Sequence, residues 1–403
     1  MTNVQQQSDV KVSPLLFTPM TIRGVTAKNR IVVSPMCQYV SEDGMPNDWN
    51  LVHLGRYAFG GAGIIYGEET AVEERGRKSY ECAGIWADKH IAGYRRITDF
   101  LKSLDTVPAI QLGHTGRKAS CRGAMENFAP LTDQDTEKGM APWRGLAPSA
   151  VDHVKRHFQP KEMDYGDIAV VKASFREAVL RSVDAGFEMV ELHGAHGYLL
   201  HQFLSPLSNL RNDAYGGDME GRMRFPLEVV EEAREALPDN LPLSYRISVV
   251  DGEGGQWGLS DSLKFAKALE ERGVDIIDIS SGGIFGNSSL PHVPRVEGYH
   301  VNFTERFKRK ISALVMVVGL ITEAKQAEAI LRENKADLIG MSRELMYHGD
   351  WPIHAAKTLG VDNYFALQPE PYAFRLRKRE ADKQLVINKP DEAKRALEQL
   401  LET

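Results

Sequence analysis

Short apolar runs alternate along the chain with amphipathic stretches of helical period, and the alternation repeats eight times. A short run bounded by turn residues reads as a buried strand, and an i, i+3, i+4 pattern as a helix with one face on a core. The strands so predicted cover residues 31–36, 63–72, 108–113, 187–193, 241–250, 274–280, 314–320 and 336–341. Amphipathic stretches such as 169–185, 226–236, 262–271 and 324–333 predict the helices between them. Helix-to-strand turns recur as Gly60-Gly-Ala-Gly63, Asp184-Ala-Gly186, Arg272-Gly-Val-Asp275 and Lys335-Ala-Asp337. Ahead of these units, residues 15–30 alternate apolar and polar around Arg23-Gly24 and predict a β-hairpin. Eight strand–helix units of near-equal size make an α/β fold, closed as a TIM (β/α)8 barrel; a doubly wound open sheet is the alternative.

Two segments break the rhythm. Residues 120–166, after the third strand, carry Pro, Gly, Trp143 and many charges, and run longer than a strand-to-helix loop needs. They are expected to form a lid-like insertion on the catalytic face. The domain reading is therefore a disordered lead over 1–14, one barrel over 15–360, and a C-terminal tail over 361–403 with a short helix at 391–401.

Charge narrows the class. With 49 basic and 55 acidic residues the net charge is −6, which argues against nucleic acid or an anionic membrane as partner. No apolar run approaches the roughly 20 residues that span a bilayer. The polar N-terminus lacks an apolar signal core, and a cytoplasmic protein is expected. Three cysteines, Cys37, Cys82 and Cys121, without a CxxC pair argue against a disulfide framework.

Candidate chemistry gathers just past the fourth strand, in His193-Gly-Ala-His196-Gly-Tyr198. Small residues let the backbone turn sharply there, so that two imidazoles and a phenol converge. Two N–H donors and one O–H would polarise a carbonyl or nitro oxygen while protonating an adjacent carbon. His-x-x-His is also a metal-ligand spacing, so a metal-dependent hydrolase using His193 and His196 stands as a rival, although no Glu lies inside the motif. His201 reads as structural. The other strand ends of a barrel share this mouth. They bring Ser34 to Tyr39, Glu69, Gln111, Arg246, Gly319, Ser342 and Arg343, the last three from strands 7 and 8, where barrels commonly hold a phosphate. An arginine inside a strand, Arg246, needs an anion or a planar acceptor to be buried at tolerable cost.

Many segments, in order from about Leu15 to Arg377, resemble one family: Lys28-Asn-Arg-Ile31, Ser34-Pro-Met-Cys-Gln-Tyr39, Ile110-Gln-Leu-Gly-His-Thr-Gly-Arg-Lys-Ala119, Glu191-Leu-His-Gly-Ala-His-Gly-Tyr198, Val318-Gly-Leu-Ile-Thr322 and Ser342-Arg-Glu-Leu345 among them. The chain is similar to the Old Yellow Enzyme family of flavin-dependent ene-reductases, in its xenobiotic-reductase-like subclass. The resemblance implies FMN as cofactor, NADPH or NADH as reductant, and a small-molecule α,β-unsaturated carbonyl or nitro compound (enone, maleimide, nitroalkene) as substrate. Ser34, Pro35, Met36 and Cys37 would line the isoalloxazine ring, Glu69 would offer its backbone N–H, and Gln111 would bond the pyrimidine edge. Arg246 would sit by N1 and O2, and Gly319, Ser342 and Arg343 would hold the phosphate. His193 and His196 would bind the substrate oxygen. Tyr198 would protonate the carbon next to the one that takes hydride from flavin N5. Tyr39 and, from the tail, Arg375 or alternatively Arg377 would border the pocket. A homo-oligomer, dimer or tetramer, in which the tail contacts a neighbour, is expected on the same ground. Another flavin reaction, such as ring reduction or demethylation, is the alternative. Three positions depart from the family's usual pattern: Glu69 replaces a small residue, Ser342 a glycine, and Gly221 an asparagine.

Overall fold

A computed structural model describes residues 13–153, 158–252, 255–285 and 293–401. The hairpin forms first in the chain: β1 (Met20–Ile22) pairs antiparallel with β2 (Val25–Ala27) across the Arg23-Gly24 turn. The lead expected over 1–14 lies outside the described residues, apart from its last two.

Eight parallel strands then close a barrel. They are β3 (Ile31–Val33), β4 (Ile64–Ala71), β5 (Val107–Gly113), β8 (Met189–Gly194), β9 (Leu243–Ser248), β10 (Ile276–Ser280), β11 (Leu314–Val318) and β12 (Leu338–Met341), with β12 back against β3. Each falls inside or over its predicted run. The first is shorter than expected, because Pro35 has no N–H to continue the ladder after Ser34 donates to the Met341 carbonyl at 2.9 Å. The helices α1 (Asp48–Phe59), α2 (Ile91–Lys102), α3 (Tyr165–Asp184), α4 (Leu199–Leu204), α5 (Met219–Ala236), α6 (Leu259–Glu270), α7 (Val301–Lys308), α8 (Ala324–Arg332), α9 (Arg343–Tyr347) and α10 (Trp351–Thr358) follow their strands.

Packing gives the barrel two different ends. Ile22, Val25 and Ala27 of the hairpin join Val32, Ile64, Val107, Met189 and Ile276 in one buried cluster, so the hairpin plugs the N-terminal end with apolar side chains. Above that plug the interior turns polar, with Gln111, Glu191, Ser244, Arg246 and Asp278 all buried. The C-terminal end is left as the mouth. Among its described residues the insertion holds short 3-10 turns and the two-residue pairing of β6 (Leu146–Ala147) with β7 (Lys161–Glu162), before α3 begins at Tyr165. It is tied to other loops, through Trp143 Nε1 on the Arg75 carbonyl at 3.0 Å and Arg211 on the Pro148 carbonyl at 2.9 Å. The tail is more helical than expected: α11 (Glu370–Asn388) precedes α12 (Pro390–Leu401). Tyr372 of α11 packs on Phe59 with ring centroids 5.2 Å apart, and Lys357 pairs with Glu380 at 2.7 Å. No described helix is long and apolar enough to cross a membrane.

Candidate active site

The His-Gly-Ala-His-Gly-Tyr stretch leaves β8 through two consecutive left-handed residues, His196 at φ 57° and Gly197 at φ 70°. A Cβ on Gly197 would overlap the Gly283 carbonyl, so only glycine fits the turn. The turn is held from below by a residue whose role the sequence alone did not show. The buried Lys118 donates to the His196 carbonyl at 2.8 Å and to the Gly283 carbonyl at 2.6 Å. His201 is structural, as expected. Its Nδ1 accepts from the Gly197 N–H at 2.9 Å, so its Nε2 carries the proton and donates to Asp251 at 2.9 Å.

The three functional rings meet as a result. His193 stands edge-on to His196, centroids 5.1 Å apart, and to Tyr198 at 4.8 Å. Burial, and then the Arg246 charge, holds both imidazoles well below the usual histidine range, so both are neutral N–H donors at physiological pH. His193 Nδ1 has no partner, and His196 Nε2 lies 2.6 Å from Ser280 Oγ. Burial pushes the Tyr198 phenol well above its usual value, so it keeps its proton. Among the described residues, no group of three or more His, Cys, Asp or Glu is clustered as a metal site requires.

Arg246 finds its anion one strand away. Asp278 is its register partner on β10, with Oδ2 3.1 Å from Nε. Neither Arg246 Nε nor the Asp278 oxygens make a well-aligned hydrogen bond, so the contact is electrostatic. Burial outweighs the Arg246 attraction and pushes the Asp278 carboxyl up. An aspartate within Ile276-Ile-Asp-Ile-Ser280 was the sequence signal for this partner. Beside it, Glu191 accepts from Gln111 Nε2 at 2.8 Å and from Ser244 Oγ at 2.7 Å, and burial pushes it up to about 8. A carboxyl raised in the fold stabilises fully below its unfolded value of about 4.5 and loses that contribution as pH rises through about 8. Glu191→Gln should therefore gain Tm relative to wild type as pH climbs through that window, by calorimetry of both proteins. A constant difference would contradict the burial argument.

Around the mouth runs a cavity of ≈ 480 Å³, lined by His196, Arg246, Ser280, Gly319, Ser342 and Arg343 with others. It also reaches His300, which sequence reading missed. His300 Nδ1 donates to the Val318 carbonyl at 2.7 Å and Nε2 accepts from Ser281 Oγ at 2.8 Å. The FMN implied above needs a basic and hydroxyl-bearing socket for its phosphate and a cation near its pyrimidine ring. The cavity carries both, and the buried Ser34 Oγ and Arg246 Nε have no hydrogen-bond partner from the protein. The residues fit the group. Pro35, Met36 and Cys37 follow Ser34 as a half-buried strip, and burial together with Glu68 and Glu69 keeps Cys37 a neutral thiol. Tyr39 sits in the left-handed region at φ 56° with its ring 5.1 Å from Phe128. Arg375 is exposed on α11, its guanidinium 5.6 Å from the Phe374 ring, and does not line this cavity.

Comparison with known proteins gives a consistent picture. The profile of the NADH:flavin oxidoreductase / NADH oxidase family matches residues 15–362. An NADPH dehydrogenase of Geobacillus sp. (strain WCH70) is 41% identical over 359 residues, 88% of this chain and 98% of its own. Among solved structures, morphinone reductase in complex with tetrahydroNAD superposes with TM-score 0.70 at 25% identity, covering 90% of this chain and 94% of its own. A 2-naphthoyl-CoA reductase complex superposes with TM-score 0.76 at 23% identity. It covers 85% of this chain, which spans about half of that longer protein (52%), and this likeness speaks for the barrel alone.

Proposed function

The chain belongs to the NADH:flavin oxidoreductase / NADH oxidase family, within the Old Yellow Enzyme group, and is an FMN-dependent NAD(P)H oxidoreductase; on that premise we propose that it reduces the activated C=C bond of enones, maleimides and nitroalkenes. The observation that carries this reading is the trio at the end of β8: two buried, neutral imidazoles beside a phenol that holds its proton.

Conjugate reduction makes two demands that this trio meets. As hydride reaches the β-carbon, negative charge grows on the carbonyl or nitro oxygen, and the α-carbon needs a proton. His193 and His196 hold that oxygen with preformed N–H donors in a site screened from water, where such hydrogen bonds strengthen as charge develops. Tyr198 holds the proton at its hydroxyl. Bound FMN supplies the hydride it has taken from NAD(P)H. Ser34 to Cys37, the Glu69 backbone and Gln111 would hold its ring system, and Gly319, Ser342 and Arg343 its phosphate. Arg246 would face the pyrimidine edge, where reduction places negative charge. Tyr39 would border the substrate. Arg375, exposed on its own chain, would reach a pocket only in a second copy.

Anaerobic mixing of NADPH-reduced enzyme with 2-cyclohexenone tests the reading. Cyclohexanone should appear in step with the NADPH consumed. Enone recovered unchanged, with the enzyme reoxidised only on admitting oxygen, would overturn it.

A further inference from the structure

We propose that Glu69 is the internal acid that returns a proton to Tyr198 after each reduction. The inference rests on Tyr198 being the proton donor. It begins from a carboxyl with no evident structural duty. Glu68 and Glu69 are neighbours on β4, where the register against β5 shifts between Tyr66 and Glu69, a bulge that re-aims side chains. The bulge gives the two glutamates different fates. Glu68 is fully engaged, accepting from the Gln38 N–H and from Asn50 Nδ2, both at 2.9 Å. Glu69 is 3% exposed, yet its Oε1 has no partner. An unpaired buried carboxyl is costly, and such groups concentrate at functional sites.

Its position supplies the use. Glu69 is the register partner of Gln111, and its side chain runs along the end of β5 to Gly113, where a Cβ would overlap Oε1. The next residue, His114, accepts at its carbonyl the N–H of Leu199 at 2.8 Å, and Leu199 follows Tyr198. The last turn of β5 therefore borders the Glu69 carboxyl at Gly113 and anchors the backbone just after Tyr198 at His114, and the two side chains interact electrostatically. Besides Glu68 and Tyr198, the titratable described groups that face the carboxyl are Cys37 and Tyr39 past β3, Lys78 and Cys82 past β4, and Tyr94 on α2.

The electrostatics give the transfer its direction. Burial, then the Glu68 charge, pushes the Glu69 carboxyl up to about 8 against the pull of Lys78, so it is protonated at neutral pH. Burial pushes the Tyr198 phenol well above its usual value, and the Glu69 charge adds to this once that carboxyl is ionised. When the Tyr198 O–H bond breaks and the α-carbon gains its hydrogen, a phenolate remains. It is the stronger base of the two, so it takes the Glu69 proton directly or across one water. The carboxylate left behind is countered by Lys78 and recovers its proton from solvent. No electron moves in this step. The neutral acid also removes a conflict in the sequence, since a carboxylate beside the flavin would oppose reduction.

Glu69→Gln keeps the shape and cannot supply the proton. In the FMN-loaded enzyme, wild-type steady-state enone turnover should fall as pH rises through about 8. The Gln variant should turn over at least about 10-fold more slowly and show no break there. Glu69→Asp should restore part of the rate together with the break. Without substrate, infrared difference titration of the wild type should show a protonated carboxyl lost with a midpoint near 8 that Glu69→Gln lacks. Equal turnover and equal pH profiles in wild type and Glu69→Gln, or a Glu69 band titrating at ordinary carboxylate pH, would overturn the proposal. If Glu69→Gln does not fold, the Asp variant still decides: an unchanged rate and an unchanged pH profile in Glu69→Asp would overturn the proposal. Tyr198→Phe separates the two levels: no effect of that change on enone reduction sinks the parent reading as well, whereas slowing by Tyr198→Phe without slowing by Glu69→Gln sinks only this one.

Discussion

Tyr198→Phe should slow the reduction of cyclohexenone by roughly 10²–10⁴-fold, the range over which a positioned general acid contributes. The effect should fall on one half-reaction. On the proposed reading the phenol acts on the α-carbon of the substrate, so reduction of the enzyme by NADPH should change far less. The expected magnitude lies at the upper end for a physical reason. Tyr198 is 6% exposed, so water has little access to stand in for the missing hydroxyl. Nitroalkenes should be spared in part, because a nitronate is stable enough to leave and take its proton from solvent. Stopped-flow measurement of each half-reaction checks this, and equal slowing of both halves would point to a structural tyrosine.

The second large effect is expected at Arg246. It is 7% exposed and faces the buried Asp278 across one strand spacing, so Arg246→Met removes one member of a buried ion pair. Breaking such a pair costs about 3–5 kcal/mol, less whatever Asp278 regains by taking up a proton. The substitution also takes the cation from the edge where the pyrimidine ring would rest. Purified Arg246→Met should therefore melt at lower temperature and carry little FMN, read from its visible absorbance. Adding Asp278→Asn should restore part of the melting temperature without restoring the flavin, since the two losses have different causes. A single variant that keeps full FMN and the wild-type Tm would refute both roles.

The barrel itself was legible in the chain. Eight apolar runs separated by amphipathic helices specify parallel strands, because each unit must bury its helix on the sheet, and hydrophobic period is a local property. The hairpin at Arg23-Gly24 and the strand-end position of His193, His196, Tyr198, Gln111 and Arg246 were likewise local readings. The helix α11 was not, since its dense charges give a weak amphipathic signal. What only the tertiary structure decided is how distant residues answer one another. The sequence showed that Arg246 needed an anion; closure of β9 on β10 made it Asp278. It showed two adjacent glutamates; the β4 bulge gave one of them partners and left the other bare. It could not show that Lys118, some 80 residues before it, clamps the His196 turn. Protonation states belong to the same class. The neutrality of His193 and His196 arises from burial and from the Arg246 charge on β9, and that of Glu69 from burial first and then from its neighbour Glu68; the burial exists only once the barrel has closed.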